Sequence, residues 1–371
     1  MKKQRLEDWV LLSLASADAP RSAWRLIKAF PQLADLGDAD PEELSRLRLD
    51  KKVIERLLDP EIKMKVSSTI ETARQWGVEL IPFDEENYPP QLREIYDPPF
   101  LLYAWGETGL LGQPGVAVVG TRQASLYGLQ VAERLAEDLA SRGVVVISGL
   151  ALGIDTAAHR GALRGGVTVA VFGAGLDWVY PHQNRSLAEK IKQKGLLLSE
   201  YPFRTRPIRF HFPLRNRIIA GLSLACVVVE AARRSGSLIT ACLALESNRE
   251  VLAVPGNVSS KVSQGTNWLI QGGAKLVQSW EDVVEELPEP WRSEIKMKES
   301  TQPERKRPIL TSEEEEIWQQ LSGDQPRHID DLAEMTNRSI SELLVSMLNL
   351  ELKGYVQPLA GKFYIRRDYS S

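Results

Sequence analysis

Cysteine, histidine and long apolar runs are all scarce in this chain of 371 residues, and each scarcity closes off a class of function. The two cysteines, Cys226 and Cys242, cannot build a disulfide framework, and no metal-ligand spacing joins them to a histidine. Both lie inside apolar stretches and read as small core residues of a protein kept in a reducing compartment. No apolar run reaches the roughly 18 residues that a membrane span needs. Met1 to Val10 is charged and lacks a signal-peptide core, so a cytoplasmic protein without a membrane partner is expected. A charge excess is missing too, with 46 basic and 49 acidic residues. A nucleic-acid binder of this composition must gather its positive charge on one face. What is present, 43% hydrophobic and 26% charged residues, suits a folded protein of two or three domains.

The pattern along the chain divides it into three units. Residues 1–77 look helical throughout. Leu6, Trp9, Val10 and Leu14 repeat at helical spacing, and Asp40-Pro41-Glu42-Glu43 has the cap, proline and acids of a helix start. This unit is expected to be SAM-like or helix-hairpin-helix-like. The apolar-Gly-x-Gly turn that grips duplex backbone is missing, which favours a packing or protein-contact role. The second unit, 78–287, opens with a connector rich in proline and tyrosine. From Gly115 onward, seven short apolar runs (Val116–Gly120, Val144–Gly149, Val167–Gly173, Leu196–Ser199, Ala225–Glu230, Val251–Pro255 and Ala274–Val277) alternate with helical stretches. That alternation predicts an α/β domain, a doubly wound and mainly parallel sheet of the extended Rossmann type, with functional loops at the carboxyl ends of its strands. Residues 288–310 are polar, lack an apolar period and read as a linker. In 311–371 three helical patterns and two strands follow in the order of a winged helix. The expected recognition helix, Ser339–Lys353, carries Glu342 and Glu351, a poor match to a major groove. Lys362, Arg366 and Arg367 lie on the wing. Protein contact is therefore the first expectation for this unit, ahead of sequence-specific duplex binding.

The strand ends carry the chemistry. The first gives Gly120-Thr121-Arg122, and no second glycine follows until Gly128, so the GxGxxG dinucleotide fingerprint is absent. No nicotinamide or flavin cofactor is implied. An arginine at that turn suits a phosphate oxygen. The second and third ends are rich in small residues (Gly149 and Gly153; Gly173 and Gly175), which permits backbone amides to approach an anion. Asp155 and Asp177 each follow such a turn, where helix capping competes with a catalytic role. After the fourth strand, Pro202 to Arg217 holds five arginines and no acid, interleaved with Phe203, Phe210 and Phe212. Arginine with aromatic side chains is the mixture used to grip single strands, although any one phenylalanine serves a core equally well. The fifth end supplies Arg233, Arg234, Ser235, Gly236, Ser237 and Thr240, basic and hydroxyl groups at a helix start. Their convergence on one sheet edge points to polyanion binding.

Gly120-Thr121-Arg122, Ser148–Asp155, Gly173–Asn184, the block FPLRNRIIAGLS at Phe212–Ser223 and SGSLIT at Ser235–Thr240 together resemble the DNA-processing protein A (DprA/Smf) family. The resemblance covers the whole central unit. It implies a homodimer, formed through the Rossmann domain, that coats incoming single-stranded DNA in natural transformation and loads the RecA recombinase, with no catalytic reaction. Strand ends and resemblance together give an expected DNA site at Gly120, Thr121, Arg122, Gly149, Gly153, Gly175, His182, Arg209, Phe212, Arg215, Asn216, Arg217, Arg233, Arg234, Ser235, Gly236, Ser237 and Thr240. His182 stands where the family usually has a basic residue after Tyr-Pro, and Arg215 and Arg217 carry most of the weight. The competing expectation is an enzyme of the phosphoribohydrolase-like Rossmann group. Those proteins carry a glycine motif with a following glutamate where this chain has SGSLIT and no carboxylate until Glu246.

Overall fold

The computed structural model describes residues 5–17, 19–30, 32–299, 310–323 and 325–366. They fall into two units, Met1–Ser300 and Thr301–Ser371.

The first unit begins with α1 (Leu6–Ser16), α2 (Pro20–Ala29), α3 (Pro41–Arg46), α4 (Lys51–Leu58) and α5 (Pro60–Trp76). Three of these helices start the same way. The carboxylates of Asp40, Asp50 and Asp59 accept the amides of Glu42, Lys52 and Glu61, satisfying donors that the first turn leaves open. The helices share a hydrophobic cluster with one face of the sheet, Trp9, Leu12 and Leu26 packing with Tyr103, Ala170 and Leu197.

The sheet has nine strands: β1 (Val78–Pro82), β2 (Leu101–Gly106), β3 (Gly115–Val119), β4 (Val145–Ser148), β5 (Thr168–Val171), β6 (Leu196–Ser199), β7 (Ala225–Val228), β8 (Glu250–Ala253) and β9 (Lys275–Leu276). Their order is β1-β2-β6-β5-β4-β3-β7-β8-β9, and β6 through β9 in that order run parallel. All seven expected strands are present. The connector rich in proline and tyrosine is more than a connector: it holds β1 and β2, which extend the sheet antiparallel beyond β6. The helices of this unit are α6 (Pro90–Arg93), α7 (Leu126–Ser141), α8 (Ile154–Gly165), α9 (Arg185–Lys194), α10 (His211–Leu222), α11 (Gly236–Glu246), α12 (Gln264–Gln271), α13 (Trp280–Glu285) and α14 (Trp291–Glu299). Alternation along β3 shows how both faces are covered. Val116 and Val118 pack on the side of α7 and α8, whereas Ala117 and Val119 pack on the side of α10 and α11.

Two expectations are corrected here. The supposed linker at 288–310 begins with α14, whose Ile295 is buried in the cluster beneath α7; its residues 300–309 lie outside the described residues. Cys226 is a core residue, its thiol pushed up to about 12 by burial, but Cys242 is exposed on α11 beside Ile239 and Leu245. An apolar run of helical sequence can be open on one face, and composition does not tell which.

The second unit is a winged helix. Its helices are α15 (Ser312–Gln319), α16 (Ile329–Thr336) and α17 (Ile340–Leu352), and β10 (Arg327–His328), β11 (Val356–Leu359) and β12 (Phe363–Arg366) form an antiparallel sheet in the order β10-β12-β11. Ile317, Leu332, Leu343, Met347 and Leu350 fill its core. The opposite face of α17 exposes Ile340, Leu344, Val345, Leu348 and Leu352, an apolar stripe in place of basic side chains. Arg367 lies outside the described residues.

Candidate nucleic-acid interface

In chain order β3 to β6 extend the sheet one way, and β7 then returns to the other side of β3. The crevice between the carboxyl ends of β3 and β7 is therefore the switch point where a doubly wound fold holds its ligand. In this protein the crevice already holds an anion of its own. The Glu230 carboxylate, at the end of β7, accepts the Ser125 amide at 2.9 Å and the Ser125 hydroxyl at 2.5 Å, at the N-terminus of α7. A side chain at Gly128 would collide with that carboxylate. The first turn of α7 thus gives its positive end to Glu230.

The same has happened at β4. Amides of Gly149 and Ala151, which the sequence offers to an external anion, donate to Asp155 at 3.1 and 3.3 Å. Asp155 is buried, and burial raises its pKa against the pull of Arg215. The Leu150 amide donates to Nε2 of buried His159 at 3.3 Å. Thr168 donates its hydroxyl proton to the Val146 carbonyl, so Nδ1 of His159, 2.8 Å from that hydroxyl, carries the imidazole proton. Burial and Arg215 push the His159 pKa down to about 3, and the ring stays neutral. The small-residue loop is thereby closed on itself. Gly153, at φ 77°, lets it pack against the backbone of Thr121 and Arg122, and the Ile154 amide donates to the Thr121 carbonyl at 3.2 Å. Its effect is to brace the Arg122 turn. Gly120 packs against Ile154 and the Glu230 carbonyl, and Thr121 donates its amide to that carbonyl at 2.7 Å.

The arginine-rich segment splits in two. Only Pro202 to Phe210 is a loop; from His211 the chain is α10, and helical geometry sends Arg215 and Arg217 inward. Arg215 is 3% exposed, and its Nη1 donates to the carbonyls of Gly149, at 2.7 Å, and of Val171. The close approach of this guanidinium is what excludes a side chain at Gly149. Arg215 Nε donates to Asn216 Oδ1 at 3.3 Å. Arg217 is 7% exposed; its Nη2 meets Glu200 Oε2 at 2.5 Å, and its Nε lies 3.7 Å from Asp97. Burial opposes its charge, and the two carboxylates more than offset that. Arg215 and Arg217, expected in the DNA site, are thus both buried and already partnered within the protein. Both are internal ties, the first between strand ends and the second to Glu200 and the half-buried Asp97.

Other arginines remain at the surface. Arg122 is exposed and stands over the Phe212 ring, 5.6 Å from its centroid, and Tyr180 packs on the same ring at 5.4 Å. Arg209, Arg233, Arg234 and His182 are exposed. Ser235 caps α11: its hydroxyl lies 2.8 Å from that of Ser237 and accepts the Ser237 amide at 3.4 Å. Gly236 is open, whereas Ser237 and Thr240 are buried. Gly175 donates its amide to the Thr205 carbonyl at 3.0 Å, and Asp177 takes the Arg204 amide on both oxygens, at 2.9 and 3.0 Å. Asp177 is thus not a helix cap; it holds the arginine loop. Glu200 and Glu230 were not singled out from sequence. Each is an acid that closes an apolar strand, and that position was the available signal.

Fold and site define a class: an extended Rossmann protein joined to a winged helix, with Glu230 in its strand-end crevice and arginines exposed nearby. The family profile described as DNA recombination-mediator protein A matches residues 79–288, and one described as DprA winged helix domain matches residues 301–362. The protein Smf of Escherichia coli is 39% identical over 305 residues, 81% of this chain and 81% of that protein. The X-ray structure of DNA processing protein A (DprA) from Streptococcus pneumoniae superposes with a TM-score of 0.67 at 37% identity, covering 77% of this chain and 99% of that one. The Helicobacter pylori DNA processing protein A, described for its single-stranded DNA binding mode, gives a TM-score of 0.52 at 34% identity over 57% of this chain and 95% of its own. This chain belongs to the DNA processing protein A (DprA/Smf) family.

Proposed function

We propose that this protein processes DNA by binding single strands along the carboxyl edge of its sheet. The observation that carries this reading is the pairing of an exposed arginine rim with a crevice that Glu230 already occupies. Arg122 over Phe212, with Arg209, Arg233, Arg234 and His182, offers charge to successive phosphates and aromatic faces to bases. A phosphate entering the crevice would have to displace a carboxylate hydrogen-bonded to Ser125. That favours a polymer gripped at the rim over a small nucleotide held within. The relatives named as DNA processing proteins, and the Helicobacter pylori protein's single-strand binding, support the same reading.

The finer functions proposed here rest on the family resemblance alone. They are protection of incoming DNA in natural transformation, loading of the RecA recombinase, and a cytoplasmic homodimer formed through the Rossmann domain. Among the described residues no helix is long and apolar enough to cross a membrane. The exposed Ile239, Cys242 and Leu245 of α11 with Trp268 of α12 give the dimer an apolar surface to bury. A binding role without turnover is favoured over a phosphoribohydrolase-like enzyme, because Glu246 is exposed at the far end of α11 and the crevice is filled.

The test is a titration against a labelled single-stranded oligonucleotide, a duplex and a mononucleotide over a range of salt. Preference for the single strand with a steep salt slope is expected. Equal duplex affinity, or mononucleotide binding with turnover, overturns the reading.

A further inference from the structure

A cavity lined by Arg56, Arg204 and Arg206 lies beside the rim. It measures about 430 Å³, inside the ~300–1,000 Å³ typical of ligand sites. One wall belongs to the helical segment, with Leu14 of α1 and Arg56 of α4. The other is the loop after β6, with Phe203, Arg204, Arg206 and Ile208. Among the described residues, no carboxylate lines it. The contrast with a larger cavity of about 620 Å³ beside β1 is one of charge. Glu79, Asp84, Glu85 and Glu86 line that one, and it would repel a polyanion.

The loop wall is fixed before any ligand arrives. Asp177 holds the Arg204 amide, Gly175 holds the Thr205 carbonyl, and Arg204 sits at φ 66°, a left-handed conformation that these contacts stabilise. Arg206 lies 5.9 Å from the Trp178 ring centroid. Phe203 is braced from behind by Tyr103 and Trp76, with ring centroids at 5.4 and 5.1 Å. His211 also lines the cavity, and the next residue is Phe212, on which Arg122 stands. The first turn of α10 therefore joins this cavity to the rim.

We propose that this cavity is a second subsite for the same single strand, entered as the strand leaves the rim. Phosphates meet Arg204, Arg206 and Arg56, and one base lies against the apolar wall of Phe203 and Ile208. This rests on the single-strand reading above and adds the helical segment to the DNA path.

The experiment uses the full chain and fluorescence anisotropy with oligothymidylates of about 6 and about 20 nucleotides, one near the low end of and one beyond the ~4–16 nucleotides that single-strand binding folds cover. An Arg204→Ala/Arg206→Ala variant, and separately Arg56→Ala, should bind the short strand as the parent does. Each should lose affinity for the long strand, about tenfold for the double variant, with a shallower salt dependence. Arg204→Lys/Arg206→Lys should recover much of the loss, and thermal unfolding should match the parent. Unchanged long-strand affinity overturns the subsite. So does equal loss on both lengths, because the loop would then belong to the rim. If the parent binds neither length, the single-strand reading itself fails; if the parent binds both and the arginine variants bind alike, only the subsite fails.

Discussion

Arg215 and Arg217 stand two residues apart on α10 and turn their guanidiniums to opposite sides of it. One ties the carbonyls of Gly149 and Val171, and the other meets Glu200. At 3.6 residues per turn, such positions are separated by roughly 200° around the helix. Each guanidinium is already held within the protein, and a substitution at either acts first on the fold.

Arg217→Ala should therefore lower stability by about 3–5 kcal/mol, since it strands the buried Glu200 carboxylate without its partner. Arg122→Ala should stay within about 0.5 kcal/mol of the parent. Its cost should appear instead as a roughly tenfold loss of single-strand affinity, about 1.4 kcal/mol. Denaturant midpoints and anisotropy on the same samples separate the two, and the reverse pattern would return Arg217 to the interface.

Glu230→Ala should destabilise by about 1–3 kcal/mol, because the Ser125 amide and hydroxyl lose their acceptor. Glu230→Gln, which keeps one carbonyl oxygen, should cost less. A Glu230→Ala protein as stable as its parent would remove the carboxylate from the organisation of the α7 terminus.

Asp177→Ala should free the backbone of Arg204 while leaving the hydrophobic core untouched. Faster tryptic cleavage after Arg204 is expected, with little change in global unfolding. Cleavage at the parental rate would mean that the loop is held by something else.

His159 gives stability a defined dependence on pH. Its folded pKa is about 3 against 6.5 for the free ring, so between those values the unfolded chain binds a proton that the folded one does not. Stability should be fully present above about 6.5 and fall with decreasing pH, by up to about 1.4 kcal/mol per unit from this residue. His159→Gln should flatten that part of the profile in acid titrations of the unfolding midpoint. A parallel profile would show that other groups dominate.

Strand and helix periodicity were legible in the sequence because burial repeats locally. β6 falls where its apolar run predicts, at Leu196–Ser199, and the caps at Asp40, Asp50 and Asp59 are short-range features of side chain and backbone. β1 and β2 were hidden because prolines punctuate the stretch around them, and the long-range pairing of β2 with β6, 90 and more residues on, is set only by folding. The arginines were legible as charge, but not in their partners. Glu200 lies 17 residues from Arg217 and Asp97 more than a hundred, and only folding brings the three together.

The sequence by itself determined a doubly wound sheet, a terminal winged helix and an arginine-rich edge, since each is written in local pattern and composition. The tertiary structure alone decided which arginines face solvent. A guanidinium satisfied by buried carbonyls or carboxylates has the same letter as one left at the surface, and the difference is made by acids and backbone distant in the chain. Arg122 stayed outside over Phe212, while Arg215 and Arg217 were drawn in.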